Sequence, residues 1–295
     1  MSRRSSSYTW IPWTVLAVGV VAASVSAILI RYADGAHGIA VAFWRCAAGA
    51  AVLAPFAAPG LRRMTRRQFV IPALAGVSLA AHFATWIPSV NLTSIASSVL
   101  LVSTTPIFVA IVARFAFNDR LGARGWFGIW LALAGVVLIA GLDFEGSTFV
   151  GNILALLGGI TVAGYAIAGQ RARQFLGILE YAAATYFFAA VVLLPVCLIG
   201  GYELGGYDNQ TWWAIVGLIA GPQLLGHTLI NFSLRAIDAT TVSVTVMGEP
   251  VIAIALAFVF FHEVPSVLAY PGGVAILIGI YLVSVVRRAP AMIVE

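Results

Sequence analysis

Ten long apolar runs, separated by short connections, limit what this chain can fold into more than any other feature of its sequence. A helix needs about 20 apolar residues to cross a hydrocarbon core of about 30 Å. We number the runs as predicted spans 1 to 10 along the chain. They are 11–31, 36–58, 69–90, 92–115, 124–141, 148–173, 178–200, 211–235, 239–262 and 266–286. The sequence therefore predicts an all-α membrane protein of ten transmembrane helices.

The composition excludes a soluble domain. Hydrophobic residues make up 61% of the chain and charged residues only 9%, whereas about a quarter of the residues of a soluble protein are charged. All 16 basic residues are arginines, and no soluble face exists on which they would form a nucleic-acid-binding patch. We therefore expect the lipid bilayer as a partner and no nucleic acid. Cys46 and Cys197 lie in apolar runs, which indicates buried thiols rather than a disulfide.

The arginines predict the orientation, because the cytoplasmic loops of membrane proteins are enriched in basic residues. With the amino terminus inside, 14 of the 16 arginines lie on the cytoplasmic side and most acidic residues lie on the other. The inner arginines are Arg3, Arg4, Arg62, Arg63, Arg66, Arg67, Arg114, Arg120, Arg124, Arg171, Arg173, Arg235, Arg287 and Arg288. Arg31 stays outside, and Arg45 lies within span 2. This pattern predicts a multi-pass protein of a bacterial-type inner membrane with both termini cytoplasmic.

The two halves of the chain resemble each other at an offset of 144 residues, which predicts two domains, 11–141 and 148–286. The offset joins residue types that are uncommon in this background: Pro106 with Pro250, Asp119 with Glu263, Gly128 with Gly272, and Gly135 with Gly279. Each half contains five spans, an odd number, so the second half enters the membrane with opposite polarity. Such inverted halves exchange conformations around a central cavity and open it to each side in turn, which is alternating access.

Polar side chains in spans 3 and 8 form the main candidate site. Ionisable and polar groups are costly in lipid, about 2.5–3.5 kcal/mol for a charge at the centre of a span, so they are expected to face the interior of the bundle. In each span three such residues repeat every four positions, which places them on one helix face. The candidates are Ser78, His82 and Trp86 in span 3 and Gln223, His227 and Asn231 in span 8.

These two stripes are predicted to face each other across a central cavity. There the amides and imidazoles would hydrogen-bond the polar part of a substrate, and Trp86 would form an apolar wall. Ser97 of span 4 adjoins this region, and Tyr165 of span 6 is added because small neighbours, Gly164 and Gly169, allow close approach. The alternative is that the polar groups only join helices, with about 0.6–2 kcal/mol for each interhelical hydrogen bond.

Two prolines and two charges inside the spans have roles that the sequence leaves open. Pro106 and Pro250 each remove a backbone donor, so they mark either hinges or static bends. Glu249 either couples transport to protons or binds backbone groups that Pro250 frees. Arg45 is suited to pairing with an acid, to capping carbonyl groups or to attracting a substrate carboxylate. Each of these charges is expected to have a partner or to be neutral in the membrane.

Several of these residues also form a pattern with a known counterpart. Thr105-Pro106 followed by Phe117-Asn118-Asp119-Arg120, and Glu249-Pro250 followed by Phe261-His262-Glu263, resemble the EamA repeat of the drug/metabolite transporter superfamily. The resemblance covers residues 14–286. It implies ten helices in two inverted halves and the export of amino acids and related metabolites, and within the superfamily the chain is similar to the aromatic and neutral amino acid exporters.

The competing classes are an enzyme, a channel and a different carrier. The segment 262–266 begins like a zinc-protease helix but lacks the second histidine and contains a proline, so neither an enzyme nor a metal or other cofactor is predicted. A pump for hydrophobic cations, coupled to protons through Glu249, is the main alternative to an amino acid exporter. Glycines in spans 5 and 10 predict close helix packing, within a monomer or between the chains of a homodimer.

Overall fold

The computed structural model describes residues 10–93, 95–140, 148–262 and 266–286, and all the regular structure within these ranges is helical. The helices of the first half are α1 (Ile11–Ser24), α2 (Ser26–Tyr32), α3 (Gly38–Leu61), α4 (Arg66–Leu92), α5 (Ile95–Val102), α6 (Thr105–Ala116) and α7 (Ala123–Ala140). Those of the second half are α8 (Phe149–Ala172), α9 (Ile178–Ile199), α10 (Asn209–Leu218), α11 (Thr228–Ser233), α12 (Ala239–Val246), α13 (Glu249–Phe261) and α14 (Ala269–Val286). A π-helical turn, Ile219–His227, joins α10 to α11.

The predicted all-α membrane character is confirmed. Within the described ranges nine helical runs are long and apolar enough to cross a membrane, and a tenth, Ala269–Val285, is apolar but shorter. The number of ten spans and the cytoplasmic position of both termini stay predictions. The repeat position Glu263 and the terminal arginines 3, 4, 287 and 288 lie outside the described residues.

Two spans break at equivalent points of the two halves. Span 4 is interrupted at 103–104, between α5 and α6, and span 9 at 247–248, between α12 and α13, which is the same offset of 144 residues. Pro106 and Pro250 are the second residues of the helices that follow. Proline is tolerated there because the first turn of a helix has no intrahelical partner for its N–H groups. The predicted bends are therefore present, whereas their motion as hinges stays a prediction.

Two carbonyl groups at the break in span 4 accept hydrogen bonds from neighbouring hydroxyls. Thr104 donates to the carbonyl of Leu101 and Thr105 to that of Val102, both at 2.6 Å. Span 1, which the sequence predicts as a single run, is also divided, at Val25 between α1 and α2. Another equivalent pair, Asn118 and His262, follows the ends of α6 and α13 and has left-handed φ angles of 52° and 55°.

Glycines bring α7 and α14 into direct backbone contact. A Cβ atom on Gly128 would lie 2.9 Å from the carbonyl oxygen of Gly279, and one on Gly135 would lie 2.5 Å from that of Gly272. The earlier residue of α7 meets the later residue of α14, so the two helices run antiparallel. The close packing predicted for spans 5 and 10 thus occurs within one chain.

The other long helices form the core that surrounds the candidate site. The helix α4 packs along α8 and α9, α3 packs along α9, and α1 packs against the π-helical turn and α11. Residues of α3, α4, α8 and α9 make up the largest hydrophobic cluster, which includes Leu79, Phe83 and Tyr186. Cys46 and Cys197 are buried free thiols, as predicted.

Polar residues cap several helices at their amino-terminal ends, and His37 and Asp208 are two of them. The imidazole of His37 accepts a hydrogen bond from the backbone N–H of Ile39 and stacks on Tyr202 at 3.6 Å. The carboxylate of Asp208 accepts a hydrogen bond from the backbone N–H of Thr211 at 2.8 Å, which lowers the pKa of that carboxyl group. Both caps fix the start of the helix that follows.

Candidate functional site

His82 of α4 is held by the backbone of α8. Its Nδ1 atom lies 2.9 Å from the carbonyl oxygen of Gly158. A carbonyl oxygen only accepts, so Nδ1 carries the proton, and Nε2 of the neutral ring is left as an acceptor. The glycine makes this possible, because a Cβ atom at position 158 would lie 3.0 Å from Cβ of Trp86. Trp86 in turn stacks on His82, with ring centroids 5.7 Å apart and planes within 6°.

Aromatic contacts connect this histidine to the second half of the chain. Phe83, which follows His82, lies 6.2 Å from the ring of His227 in a T-shaped contact. The ring of Tyr165 lies 6.0 Å from His227 on another side. Asn231 donates through Nδ2 to the hydroxyl of Tyr165 and to the backbone carbonyl of His227. The structure therefore joins the candidate residues of spans 3, 6 and 8 in one polar and aromatic cluster.

Gln223 lies on the π-helical turn and is fully buried, yet neither atom of its side-chain amide has a hydrogen-bond partner. Its backbone carbonyl, at 3.2 Å, accepts from the hydroxyl of Tyr186 in α9, which also lies 3.1 Å from the hydroxyl of Thr228. Gly49 of α3 makes room for this group, because a Cβ atom there would lie 3.2 Å from Cγ of Gln223. A buried polar group without a partner is uncommon in a folded protein and requires an explanation.

Other buried polar atoms near this cluster also lack partners. Within the described residues these include Oδ1 of Asn231, Nε1 of Trp86 and Nε of Arg45. Together with the amide of Gln223 they supply donors and acceptors among aromatic rings. This combination of a few unpaired polar groups with an apolar wall is typical of a site for a small molecule.

Span 8 differs from the regular helix on which the predicted stripe depends. Gln223 and His227 lie within the π-helical turn, so a four-residue spacing does not place them as in an α-helix. Pro222 lies inside this turn and has no N–H to donate, which is a recognised cause of a local change in helix geometry. As a result Gln223 and Asn231 are buried, while His227 is half-buried.

The stripes of α4 and of span 8 meet through Phe83. Two cavities in the part of the chain that the structure describes lie elsewhere. One of about 330 Å³ is lined by apolar residues of α3, α4 and α9, and one of about 180 Å³ lies where α3 and α9 meet the loops beside them. Neither is lined by a predicted site residue. Ser78 is half-buried beside Gly164, and Ser97 is buried in α5.

Two charged residues accompany the cluster. Arg45 of α3 is buried, and its guanidinium carbon lies 5.0 Å from the centre of the Phe83 ring. Glu249 is the first residue of α13 and is partly buried. Phe83, Gly49 and Tyr186 were missed as site residues, since an aromatic ring or a glycine in a membrane helix is more often a packing residue.

Membrane-length helices that surround a buried cluster of unpaired polar groups place the chain among multi-pass membrane proteins, and such an arrangement is typical of a transporter. The sequence profile of the EamA-like transporter family matches residues 9–141 and 149–285, and the chain belongs to this family. The predicted resemblance is therefore confirmed. The family is one of transporters and not of enzymes. The domain limits 11–141 and 148–286 stay predictions.

Individual relatives are more distant. An uncharacterized transporter of Archaeoglobus fulgidus is 25% identical over 219 residues, covering 72% of this chain and 74% of the relative. A probable terminal-alkyne amino-acid exporter of Streptantibioticus cattleyicolor is 24% identical over 278 residues, covering 92% of each chain. A solved crystal structure matches with a TM-score of 0.81 at 17% identity, over 94% of this chain and 98% of the other. That last similarity shows the fold alone.

Proposed function

We propose that the protein exports aromatic and neutral amino acids and related small metabolites across a bacterial-type inner membrane. The observation that carries this proposal is the buried amide of Gln223, which has no partner for its donor or its acceptor. Leaving such a group unpaired costs about 1–3 kcal/mol. A polar ligand that hydrogen-bonds to these atoms during transport would explain why the amide is left unpaired in the fold.

The unpaired acceptors and the aromatic rings of the cluster fit the chemistry of an amino acid. Oε1 of Gln223, Oδ1 of Asn231 and Nε2 of His82 are acceptors suited to an ammonium group. The rings of Trp86 and Tyr165 are suited to an apolar or aromatic side chain. The probable terminal-alkyne amino-acid exporter, similar over 92% of this chain, supports the same substrate class.

Alternating access between two inverted halves is the proposed mechanism. The antiparallel contact of α7 with α14 supports it, because the pairs Gly128–Gly279 and Gly135–Gly272 exchange under the offset of 144 residues. The equivalent breaks before Pro106 and Pro250 support it as well, since each is a place where the two parts of a span can change their angle. With ten spans, both termini lie on the same side of the membrane, and the distribution of the arginines favours the cytoplasm.

Transport into proteoliposomes tests the substrate class. Purified protein would be reconstituted and the uptake of labelled phenylalanine, leucine and a hydrophobic cation measured, with and without a pH gradient. We expect both amino acids to be transported, and Glu249→Gln to retain this transport. Uptake of the cation alone, abolished by Glu249→Gln, would instead establish the proton-coupled cation exporter.

The two histidines test the site. We expect His82→Ala and His227→Ala each to lower the initial rate of amino acid uptake about tenfold, equivalent to about 1.4 kcal/mol. The matched control is His262→Ala, since His262 is exposed at the end of α13. Full transport by both site variants would refute the proposed site. Size-exclusion elution profiles that match the wild type would first show that all three variants are folded.

A further inference from the structure

Arg45 has a position that is unusual for a charged side chain. It lies within α3 and is 3% exposed. A guanidinium group has five N–H donors and no acceptor. Among the residues that the structure describes, its hydrogen bonding consists of one contact of 3.4 Å from Nη1 to the hydroxyl of Ser26, and Nε has no partner. The site therefore holds a buried positive charge with donors to spare.

Two of the roles that the sequence leaves open for Arg45 do not account for these donors. No ion pair joins its guanidinium to a carboxylate within the described residues. No backbone carbonyl group in those ranges accepts from it either. The Phe83 ring at 5.0 Å stabilises the charge through a cation–π contact but accepts none of the N–H groups.

We infer that Arg45 forms a subsite for the carboxylate group of a zwitterionic substrate. Carboxylates and guanidinium groups form paired, charge-assisted hydrogen bonds, which gives this subsite geometric selectivity as well as attraction. The inference rests on the proposed amino acid transport and adds that the substrate must carry a carboxylate group. An amine without a carboxylate lacks this pairing and still meets the repulsion of the buried positive charge.

One turn further along α3, the contact with Gln223 places a subsite for the ammonium group close to Arg45. Gly49 follows Arg45 by four residues, so the two lie on the same face of α3. At Gly49 the backbone meets Cγ of Gln223, where a Cβ atom would be 3.2 Å away. In an α-amino acid one carbon atom separates the ammonium group from the carboxylate. Arg45 and the unpaired Oε1 of Gln223 thus match its two charges from adjacent helices.

Three ligands with the same aromatic side chain test the inference in the wild-type transporter. Phenylalanine carries the carboxylate, phenylalaninamide has a neutral amide in its place, and phenethylamine has neither. In competition against labelled phenylalanine we expect unlabelled phenylalanine to inhibit at least tenfold more strongly than either analogue. Equal inhibition by the amide and the acid would overturn the subsite. It would leave amino acid transport itself intact, whereas no transport of any amino acid would refute the proposed function.

Variants of Arg45 give a second readout. We expect Arg45→Gln to raise the KM for phenylalanine at least tenfold and to remove the preference for the acid over the amide. Arg45→Lys should retain part of this preference, because the charge remains without the paired donors. Arg171→Gln, which alters an exposed arginine of α8, is the control. An unchanged preference in folded Arg45→Gln protein would overturn the inference, and if this variant fails to fold, the competition experiment decides alone.

Discussion

The buried amide of Gln223 is proposed to serve transport, and it lowers the stability of the folded protein. This amide is fully buried and unpaired, so the folded protein bears a cost that an apolar side chain of similar size avoids. We expect Gln223→Leu to unfold at a higher temperature in detergent, corresponding to about 1–3 kcal/mol, and to lose most amino acid transport. Thermal unfolding and uptake would be measured on the same preparation. A less stable and inactive variant would show instead that the amide holds the helices together.

Site residues with polar side chains could be predicted from the sequence, because burying them in a membrane costs free energy. Site residues with aromatic side chains could not, because such side chains are stable in lipid. His82, His227 and Asn231 were predicted as neighbours because a polar group in lipid requires a reason, and the structure brings them together. Phe83 and Tyr186 complete the same cluster, but their rings are as well suited to lipid as to a site. The hydroxyl of Tyr186 is a signal that had been available.

The spans differ in how far their local geometry could be predicted. Both prolines that follow a helix break, Pro106 and Pro250, were recognised because proline lacks a backbone donor. The π-helical turn that contains Pro222 was not recognised from the sequence. A proline inside a span does not by itself predict such a change, because Pro55 and Pro59 lie inside α3 without ending it. A proline in a span thus permits several outcomes, and the choice among them depends on hydroxyls and helices that are distant in sequence, such as Tyr186 beside the turn.

Adjacent glycines of α14 provide a test of the helix contact that joins the two halves. A Cβ atom at Gly272 would lie 2.7 Å from the backbone carbonyl of Gly135, whereas one at Gly273 would lie 3.7 Å from a side-chain carbon of Val251. We expect Gly272→Ala to destabilise the protein by about 1–3 kcal/mol, because the helices must move apart. Gly273→Ala should be neutral or slightly stabilising, since alanine favours a helix by about 1 kcal/mol. Equal unfolding temperatures in detergent would contradict the contact.

At the scale of the whole molecule, the pairing of helices follows the internal repeat. Spans 5 and 10 are repeat partners and pack on each other as α7 and α14, and spans 2 and 7 do so as α3 and α9. The contact of α4 with α8 has its counterpart in the contact of α1 with the π-helical turn and α11. This exchange of partners is what we expect of the proposed twofold axis between the halves. The sequence offset predicted the equivalence, but which helices touch depends on packing that no single span encodes.

Opposite orientation of the two halves is therefore expected to be measurable in the membrane. Arg120 follows α6 and Ser266 precedes α14, both are exposed, and they lie near equivalent ends of the two halves. The native thiols Cys46 and Cys197 are buried and give little background. We expect a membrane-impermeant maleimide to label Ser266→Cys in intact cells and Arg120→Cys only after permeabilisation, because five spans separate each end from its repeat partner. Labelling of both from the same side would refute the inverted arrangement and, with it, alternating access through two exchanging halves.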